Sequence, residues 1–400
     1  MRFPEFHGEW EKCKVSDLLD FYSTNSLSWD QLEYGTDNML NLHYGLIHVG
    51  LPTMVDLSKD ILPAIKKEKE PKNFELCKEG DIAFADASED TNEVAKAIEF
   101  YTLEDKAVVC GLHTIHGRDK SNKTVVGYKG YAFSSTAFHH QIRRIAQGTK
   151  IYSISAKNFA ECYIGIPSKE EQTKIAKLLR LIDERIATQS KLIEKLESLI
   201  KGINQRVFLN SGINYKIREI CEIKSGYSGS QLLSKKGLKV SRIETISGHK
   251  VNMERVGYVA PFESSENYRL RVGDILFSNI NSVEYIGNTA FIDKDYDLYH
   301  GMNLLRLTPN NMVVIPFYLY LLLNTNRMLN RFKTVCNKAV SQASINQTEL
   351  GKTVVQIPPI NTQEQICELY QALYTKLETE SHTKSLFQNQ KQYMLRQMFI

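Results

Sequence analysis

The stretch that most constrains this chain runs from Ser168 to Leu209, with no proline and one glycine, Gly202. Ile175, Leu179, Ile182, Ile186, Gln189, Ile193, Leu196, Ile200, Ile203 and Val207 recur there at alternating four- and three-residue steps. That is the repeat of a coiled-coil seam, and Gln189 is its one polar member. Ser168 followed three residues on by Glu171 predicts a capping box at the start. About forty residues, at about 1.5 Å each, make a rod of roughly 60 Å. One small domain cannot cover so long a stripe, so it requires a partner helix; the plainer alternative is an ordinary long helix on a globular domain.

The chain supplies a partner between Thr362 and Ile400, where Thr362 and Gln365 form a second expected capping box. Ile366, Tyr370, Leu373, Leu377, Glu380, Lys384, Phe387, Lys391, Met394 and Met398 repeat the same spacing with three charged members. An antiparallel pairing with Ile175 near Met398 places Gln189 near Lys384 and Ile193 near Glu380. Polar seam groups then meet mid-rod, where they fix register at a cost in stability.

Two helices of one kind suggest that the whole chain is a repeat. Gly80-Asp81-Ile82 matches Gly273-Asp274-Ile275, and Cys110-Gly111-Leu112 matches His300-Gly301-Met302. Ser153-Ile154-Ser155 matches Ser344-Ile345-Asn346, Ile166-Pro167 matches Ile357-Pro358, and Glu171-Gln172 matches Glu364-Gln365. The order is the same and the offset is about 190 residues, too long for a solenoid. The expectation is an α/β chain of four segments: a domain over 1–167, a long helix over 168–210, a second domain over 211–357 and a second long helix over 358–400. Ser211-Gly212-Ile213-Asn214 is the expected junction after the first helix.

In the first domain, strands are expected at Asp81–Ala85, Lys106–Ile115 and Thr124–Ala132, and a helix at Ser135–Ala146. The second is expected to open with Ile217–Lys224 and the turn-rich Ser225–Ser230. Strands follow at Leu238–Ile243, Val272–Ser278, Thr289–Ile292 and Asn303–Leu307, then a helix at Pro316–Cys336.

Four hundred residues exceed one core, and no apolar run is long enough to span a bilayer. The opening Met1–Gly8 does not read as a signal peptide. Seven widely spaced cysteines without a Cys-x-x-Cys pair argue for reduced thiols in a cytoplasm and against a zinc site or disulfide framework. The net charge of +4 hides an uneven distribution. The first domain is net acidic, yet Arg118, Lys120, Lys123, Lys129, Arg143, Arg144, Lys150 and Lys157 are opposed by Asp119 alone.

Catalytic signatures are missing. Gly351-Lys352-Thr353 resembles the end of a phosphate loop, but Asn346 stands where its first glycine belongs. His113 and His116 lack zincin spacing, and Gly226 to Gly229 is neither a nucleophile elbow nor a dinucleotide fingerprint. No acid–base carboxylate pair stands out, and no Asn-Pro-Pro-aromatic tetrad marks an amino-methyltransferase.

Taken together, Ile166-Pro167 before Glu171-Gln172, Ile357-Pro358 before Glu364-Gln365, the Gly273–Ser278 run, Ile286-Gly287-Asn288, His300-Gly301-Met302-Asn303 and the opening Arg2–Phe6 carry a resemblance. The chain resembles the DNA specificity subunits of type I restriction-modification systems over essentially its full length. The resemblance implies two α/β target-recognition domains separated by two long helices that form an antiparallel coiled coil. Each domain then reads half of a split double-stranded DNA site. It also implies docking of two methyltransferase subunits and, through the complex, restriction subunits. The chain itself is then not an enzyme and holds no cofactor or metal, S-adenosylmethionine and ATP belonging to the partner subunits. Lys177, Arg180, Glu184, Lys191 and Lys195 point outward as candidate methyltransferase contacts. The early stretch Asn25–Lys78 departs from the pattern, lacking the glycine-rich turn of Ser225–Ser230.

For DNA contact, the second domain offers the flexible turn Ser225, Tyr227, Ser228 and Ser230, then Arg242 for a guanine edge or a phosphate. It also offers Ser278, Asn279 and Asn281 after a strand, and the loop residues Lys338, Ser341 and Gln342. The first offers Arg118, Lys120, Lys123, Lys129, Arg143, Arg144 and Lys150. For each of these, a solvated surface side chain is the competing reading, and a coiled-coil scaffold that binds no DNA competes with the whole.

Overall fold

The computed structural model describes residues 1–36, 38–208, 212–338 and 342–399. Two compact units emerge, Met1–Leu192 with Glu380–Ile400, and Ile193–Thr379. Each contains one α/β domain and an adjoining portion of both long helices.

The first long helix spans Lys169–Val207 and the second Ile360–Gln397. All ten expected seam positions on each helix are buried or half-buried, as the heptad spacing requires. In the first unit Asp183 pairs with Lys391 at 2.6 Å, and the Gln189 amide donates to Glu380. In the second the Tyr370 hydroxyl donates to Asn204. Within each unit the helices therefore run antiparallel. The expected partner of Gln189 was Lys384; it is Glu380, one turn away, whose carboxylate accepts from the amide.

The helix starts also differ from expectation. Ser168 does accept from the Glu171 N–H at 3.3 Å, but the Glu171 carboxylate turns away to a two-pronged contact with Arg2 at 2.7 Å. The second helix begins at Ile360, directly after Pro358-Pro359, so Thr362 lies inside it and does not cap it. Proline fixes a helix-compatible φ and lacks the N–H that a first turn leaves unpaired, so this start needs no side-chain cap.

The domain repeat is realised strand by strand. The first unit has a sheet ordered Leu19–Tyr22, Thr114–Asp119, Ile82–Ala85, Ala97–Thr102 and Met54–Asp56. The second has Cys221–Ser225, Leu304–Pro309, Ile275–Ser278 and Thr289–Phe291, which match the first four in order; Met54–Asp56 has no counterpart in this sheet. A separate strand pair joins the start of each domain to the strand before its long helix: Glu11–Lys14 with Tyr163–Ile166, and Ile213–Lys216 with Val354–Ile357. Aromatic packing fills both cores, with Phe84 against Phe133 at 4.9 Å and Phe277 against Phe332 at 5.0 Å.

The Gly-Asp-Ile motif has the same role twice. Gly80 and Gly273 take φ of +83° and +97°, a region that favours glycine. Asp81 and Asp274 are buried and accept from the Lys78 and Arg271 N–H groups at 2.9 and 2.8 Å, closing the turn before each strand.

Three element assignments change. Lys106–Ile115 is not one strand but two, Val108–Cys110 and Thr114–Asp119, parted by a turn at Gly111–His113. Thr124–Ala132 is not a strand: it turns through Gly127 and enters a short helix, Lys129–Phe133, all of whose residues are buried. Complete burial erases the alternation on which the strand reading relied. Pro316–Cys336 is two helices, Pro316–Leu323 and Asn326–Val335, separated where the Thr325 side chain caps the second. Among the described residues no helix is long and apolar enough to cross a membrane. Leu209, Ser211 and Ile400, which bound expected elements, lie outside the described residues.

Candidate nucleic-acid interface

Each main sheet has two chemically different ends. In the second unit, Ser225 pairs with Leu305 and Leu304 with Ser278, so these residues share one end, the tip. From there Leu304–Pro309 runs to the other end, where the second long helix begins. At that end the buried Gln363 amide donates to the carbonyls of Val313 and Pro358, and its oxygen accepts from the Ile315 N–H at 2.8 Å. In the first unit Gln172 donates to Lys123 and Pro167 and accepts from the Val125 N–H at 2.9 Å. The structural counterpart of Gln172 is thus Gln363, not Gln365. The two amides latch each domain onto its helix, so each tip lies at the sheet end opposite its latch.

The tip of the second unit gathers most of its expected contact residues. The Tyr227 N–H donates to the His300 carbonyl at 2.9 Å, and the Gly301 N–H to Ser241 Oγ at 3.0 Å. This brings the Ser225–Ser230 turn and Arg242 together. A Cβ on Gly226 would lie 1.8 Å from the Gly301 carbonyl oxygen, and one on Gly301 2.0 Å from that of Ser241, so both positions require glycine. Ile280–Asn281, Ala343–Ser344 and Asn337–Lys338 form a small sheet that adds Lys338 and Gln342.

These residues are not equally available. Ser225, Ser228, Ser230, Arg242, Lys338 and Gln342 are exposed. Tyr227 is an anchor: its ring stacks on Phe262 at 4.0 Å and meets Tyr268 edge-on. Ser278 is fully buried and accepts from the Asn281 amide at 3.0 Å, while the Asn281 oxygen accepts from the Ser282 N–H. Asn279 holds the Ile345 N–H through its carbonyl, and its buried Oδ1 has no partner among the described residues. Ser278 and Asn281 therefore shape the turn and do not face outward. Ser341 lies outside the described residues.

The first unit corrects the sequence reading. Arg118 grips Asp81 with two 2.8 Å contacts and Glu75 with one of 2.6 Å, and lies over the Tyr22 ring. The carboxylate of Asp81 raises the Arg118 pKa further. Lys129 is buried against Glu99 at 3.0 Å. Lys120 donates to the Ser16 carbonyl, and Lys123 pairs with Glu11. All four belong to the latch side or the interior, because the strand carrying Arg118 runs away from the tip. Arg143, Arg144 and Lys150 are exposed, and Lys150 shortly precedes the strand Tyr152–Ser153, as Gln342 precedes Ala343–Ser344.

What sequence reasoning missed is the first unit's own tip. There Trp29 packs on His43 at 4.4 Å, His43 on Tyr44 at 4.7 Å, and Tyr44 on His113 at 5.2 Å. His113 meets Asp86 at 3.2 Å, and His48 meets the Ala87 carbonyl at 2.9 Å. The signal was available: Ala85 corresponds to Ser278 and Gly111 to Gly301, which places Asp86–Ser88 and His113 opposite Asn279–Asn281 and Asn303.

The type I restriction modification DNA specificity domain model matches residues 100–198 and 213–386, more than half of the chain. The chain belongs to that family. A putative type I restriction enzyme MjaX specificity subunit from Methanocaldococcus jannaschii is 36% identical over 193 residues, which are 46% of this chain and 45% of that protein. The type I restriction enzyme EcoKI specificity subunit of Escherichia coli is 24% identical over 283 residues, 63% of this chain and 59% of that one. The matches thus span less than two thirds of either relative. In fold, the type I restriction-modification S subunit from M. genitalium has a TM-score of 0.60 at 16% identity, covering 100% of this chain and 99% of that one.

Proposed function

We propose that this chain is the DNA specificity subunit of a type I restriction-modification complex. Its two α/β domains each read one half of a split double-stranded site, and the paired long helices serve as the spacer between the half-sites. In this reading it docks two methyltransferase subunits and, through the complex, restriction subunits. S-adenosylmethionine and ATP are held by those partners, the chain itself is non-catalytic, and the complex works in the cytoplasm.

The observation that carries the reading is the duplication of one frame with unlike tips. Both domains keep the same strand order and the same glutamine latch, while their tips carry different side chains. Two copies of one scaffold with different outward chemistry suit two different half-sites. Joining them makes the second contact intramolecular, so neither half needs high affinity alone.

Methylome sequencing of cells with and without the gene tests it. A split motif that disappears with the gene is expected; an unchanged methylome sinks the reading. Inserting one heptad in each long helix adds roughly 10 Å, or about three base pairs of spacer. An unchanged spacer removes the helices from that role. A coiled-coil scaffold that binds no DNA is separated by gel shifts with duplex at two salt concentrations, with and without the methyltransferase subunit.

A further inference from the structure

The first unit brings together three buried metal-ligating side chains that lie far apart in sequence. Cys77 precedes the Gly80-Asp81 turn, Cys110 ends the strand Val108–Cys110, and His116 lies in the strand Thr114–Asp119. Their exposures are 6%, 2% and 0%. One ligand atom from each lies within 4.8 Å of the other two. The two sulphurs are 3.6 Å apart. A tetrahedral zinc with bonds of about 2.3 Å sets its sulphurs roughly 3.75 Å apart, whereas a disulfide needs about 2.05 Å.

The histidine is arranged as a ligand would be. Its Nε2 meets the Asp81 carboxylate at 2.8 Å, and Arg118 holds that carboxylate in place. Its Nδ1 is buried and has no hydrogen-bond partner among the described residues. A buried ring nitrogen left unpaired destabilises the fold unless something accepts its lone pair. A carboxylate on one ring nitrogen and a metal on the other is a recurring arrangement that fixes the tautomer and raises the basicity of the ligand.

We propose that Cys77, Cys110 and His116 Nδ1 bind a thiophilic divalent metal ion, zinc by chemistry. On binding, the two thiol protons leave to solvent, the two thiolates and the Nδ1 lone pair take the metal, and the Nε2 proton stays on the hydrogen bond to Asp81. Two thiolates and a neutral imidazole cancel the charge of a divalent ion, which suits a buried site; a monovalent ion leaves a net negative charge there. Three protein donors leave one tetrahedral position for water or another small ligand. The ion ties the segment ahead of Gly80 to the two strands that flank the tip turn Gly111–His113. No Cys-x-x-Cys marks the site, because its ligands converge only in the fold. The second unit lacks it: Leu270, His300 and Arg306 occupy the corresponding positions.

The test uses the full chain, purified under reducing conditions from zinc-supplemented cells and desalted, with metal content measured by mass spectrometry. One equivalent of zinc per chain is expected, lost in Cys110→Ser and in His116→Gln and kept in Cys13→Ser. If the variants fail to fold, the wild-type chain suffices: cobalt substitution should give thiolate-to-cobalt charge-transfer absorption, and chelation should lower the melting temperature. Asp81→Asn should weaken zinc binding about ten- to a hundredfold. A wild-type chain that holds no zinc as purified and takes up none when zinc is added overturns the proposal. So does a Cys77–Cys110 disulfide that forms regardless of zinc, or zinc retained by both ligand variants.

Discussion

The segment ahead of each Gly-Asp turn, the start of each tip turn and the strand after it carry unlike residues at corresponding places. Where the first unit has Cys77, Cys110 and His116, the second has Leu270, His300 and Arg306. Cys110 and His300 each begin a tip turn. His300 settles its place through Nε2, which donates to the Leu304 carbonyl at 2.9 Å, and Arg306 donates to the Arg269 carbonyl at 3.2 Å. At the latch end the two units agree almost atom for atom: Gln172 and Gln363 make the same three contacts, and Asp81 and Asp274 close the same turn. The difference teaches where this fold tolerates change. The latch must satisfy backbone groups that are buried between domain and helix, so its chemistry is fixed. The interior near the tip is held mainly to volume, which several side-chain sets can supply; the second unit's set leaves His300 Nδ1 and Arg306 Nε without a partner among the described residues.

The sharpest way to break the comparison is at the latches. Gln172→Leu and Gln363→Leu each strand one buried carbonyl, a part-buried carbonyl and a part-buried N–H, so each should cost about 2–4 kcal/mol. Both tryptophans, Trp10 and Trp29, lie in the first unit. In urea, Gln172→Leu should shift the tryptophan transition, while Gln363→Leu should shift the circular-dichroism transition more than the fluorescence. A Gln172→Leu chain as stable as wild type would end the equivalence.

The tip turns come next. Alanine at Gly301 meets a backbone oxygen at 2.0 Å, while alanine at Gly111 meets the Asn41 amide nitrogen at 2.5 Å and the Leu42 carbonyl oxygen at 2.9 Å. Gly301→Ala should cost about 3 kcal/mol and Gly111→Ala about 1 kcal/mol less, since a side chain yields more readily than backbone. Equal losses in thermal unfolding would show that both turns are equally rigid.

A third difference is pH dependence. Burial pushes the His300 pKa down to about 4. Its folded value is below its unfolded one near 6.5, so its contribution is fully present above about 6.5 and is lost as pH falls towards 4. At pH 5 the loss is about 2 kcal/mol. His300→Gln should flatten this part of the stability profile, read by circular dichroism from pH 7 to 5. A profile unchanged by the substitution would remove His300 as its source.

The smallest effects belong to exposed tip residues. If the proposed function holds, Arg242→Ala and Lys150→Ala should each weaken specific DNA binding by about 1 kcal/mol. If Arg242 reads a base edge, specificity relaxes at one base of the second half-site. Uniform loss with a shallower salt dependence assigns it to phosphate. Lys150→Ala should show the uniform pattern.

The sequence alone determined the helices and the duplication. A seam of ten positions on each helix is a long periodic signal, and every position is at least half-buried. The Gly-Asp-Ile and Ile-Pro pairs marked the repeat because their turn geometry and proline chemistry are local. Tertiary structure decided the rest. Arg118 and Lys129 read as a basic patch because charge is visible in sequence, but partners such as Asp81 and Glu99 come from distant strands. Glu171 was expected to cap its own helix and instead reaches Arg2, 169 residues away. The latch partner of Gln172 was misread by two residues, since an amide's role depends on which carbonyls surround it. Cys77, Cys110 and His116 show the same limit: pairing and burial are non-local, so only the closed fold could bring those three together.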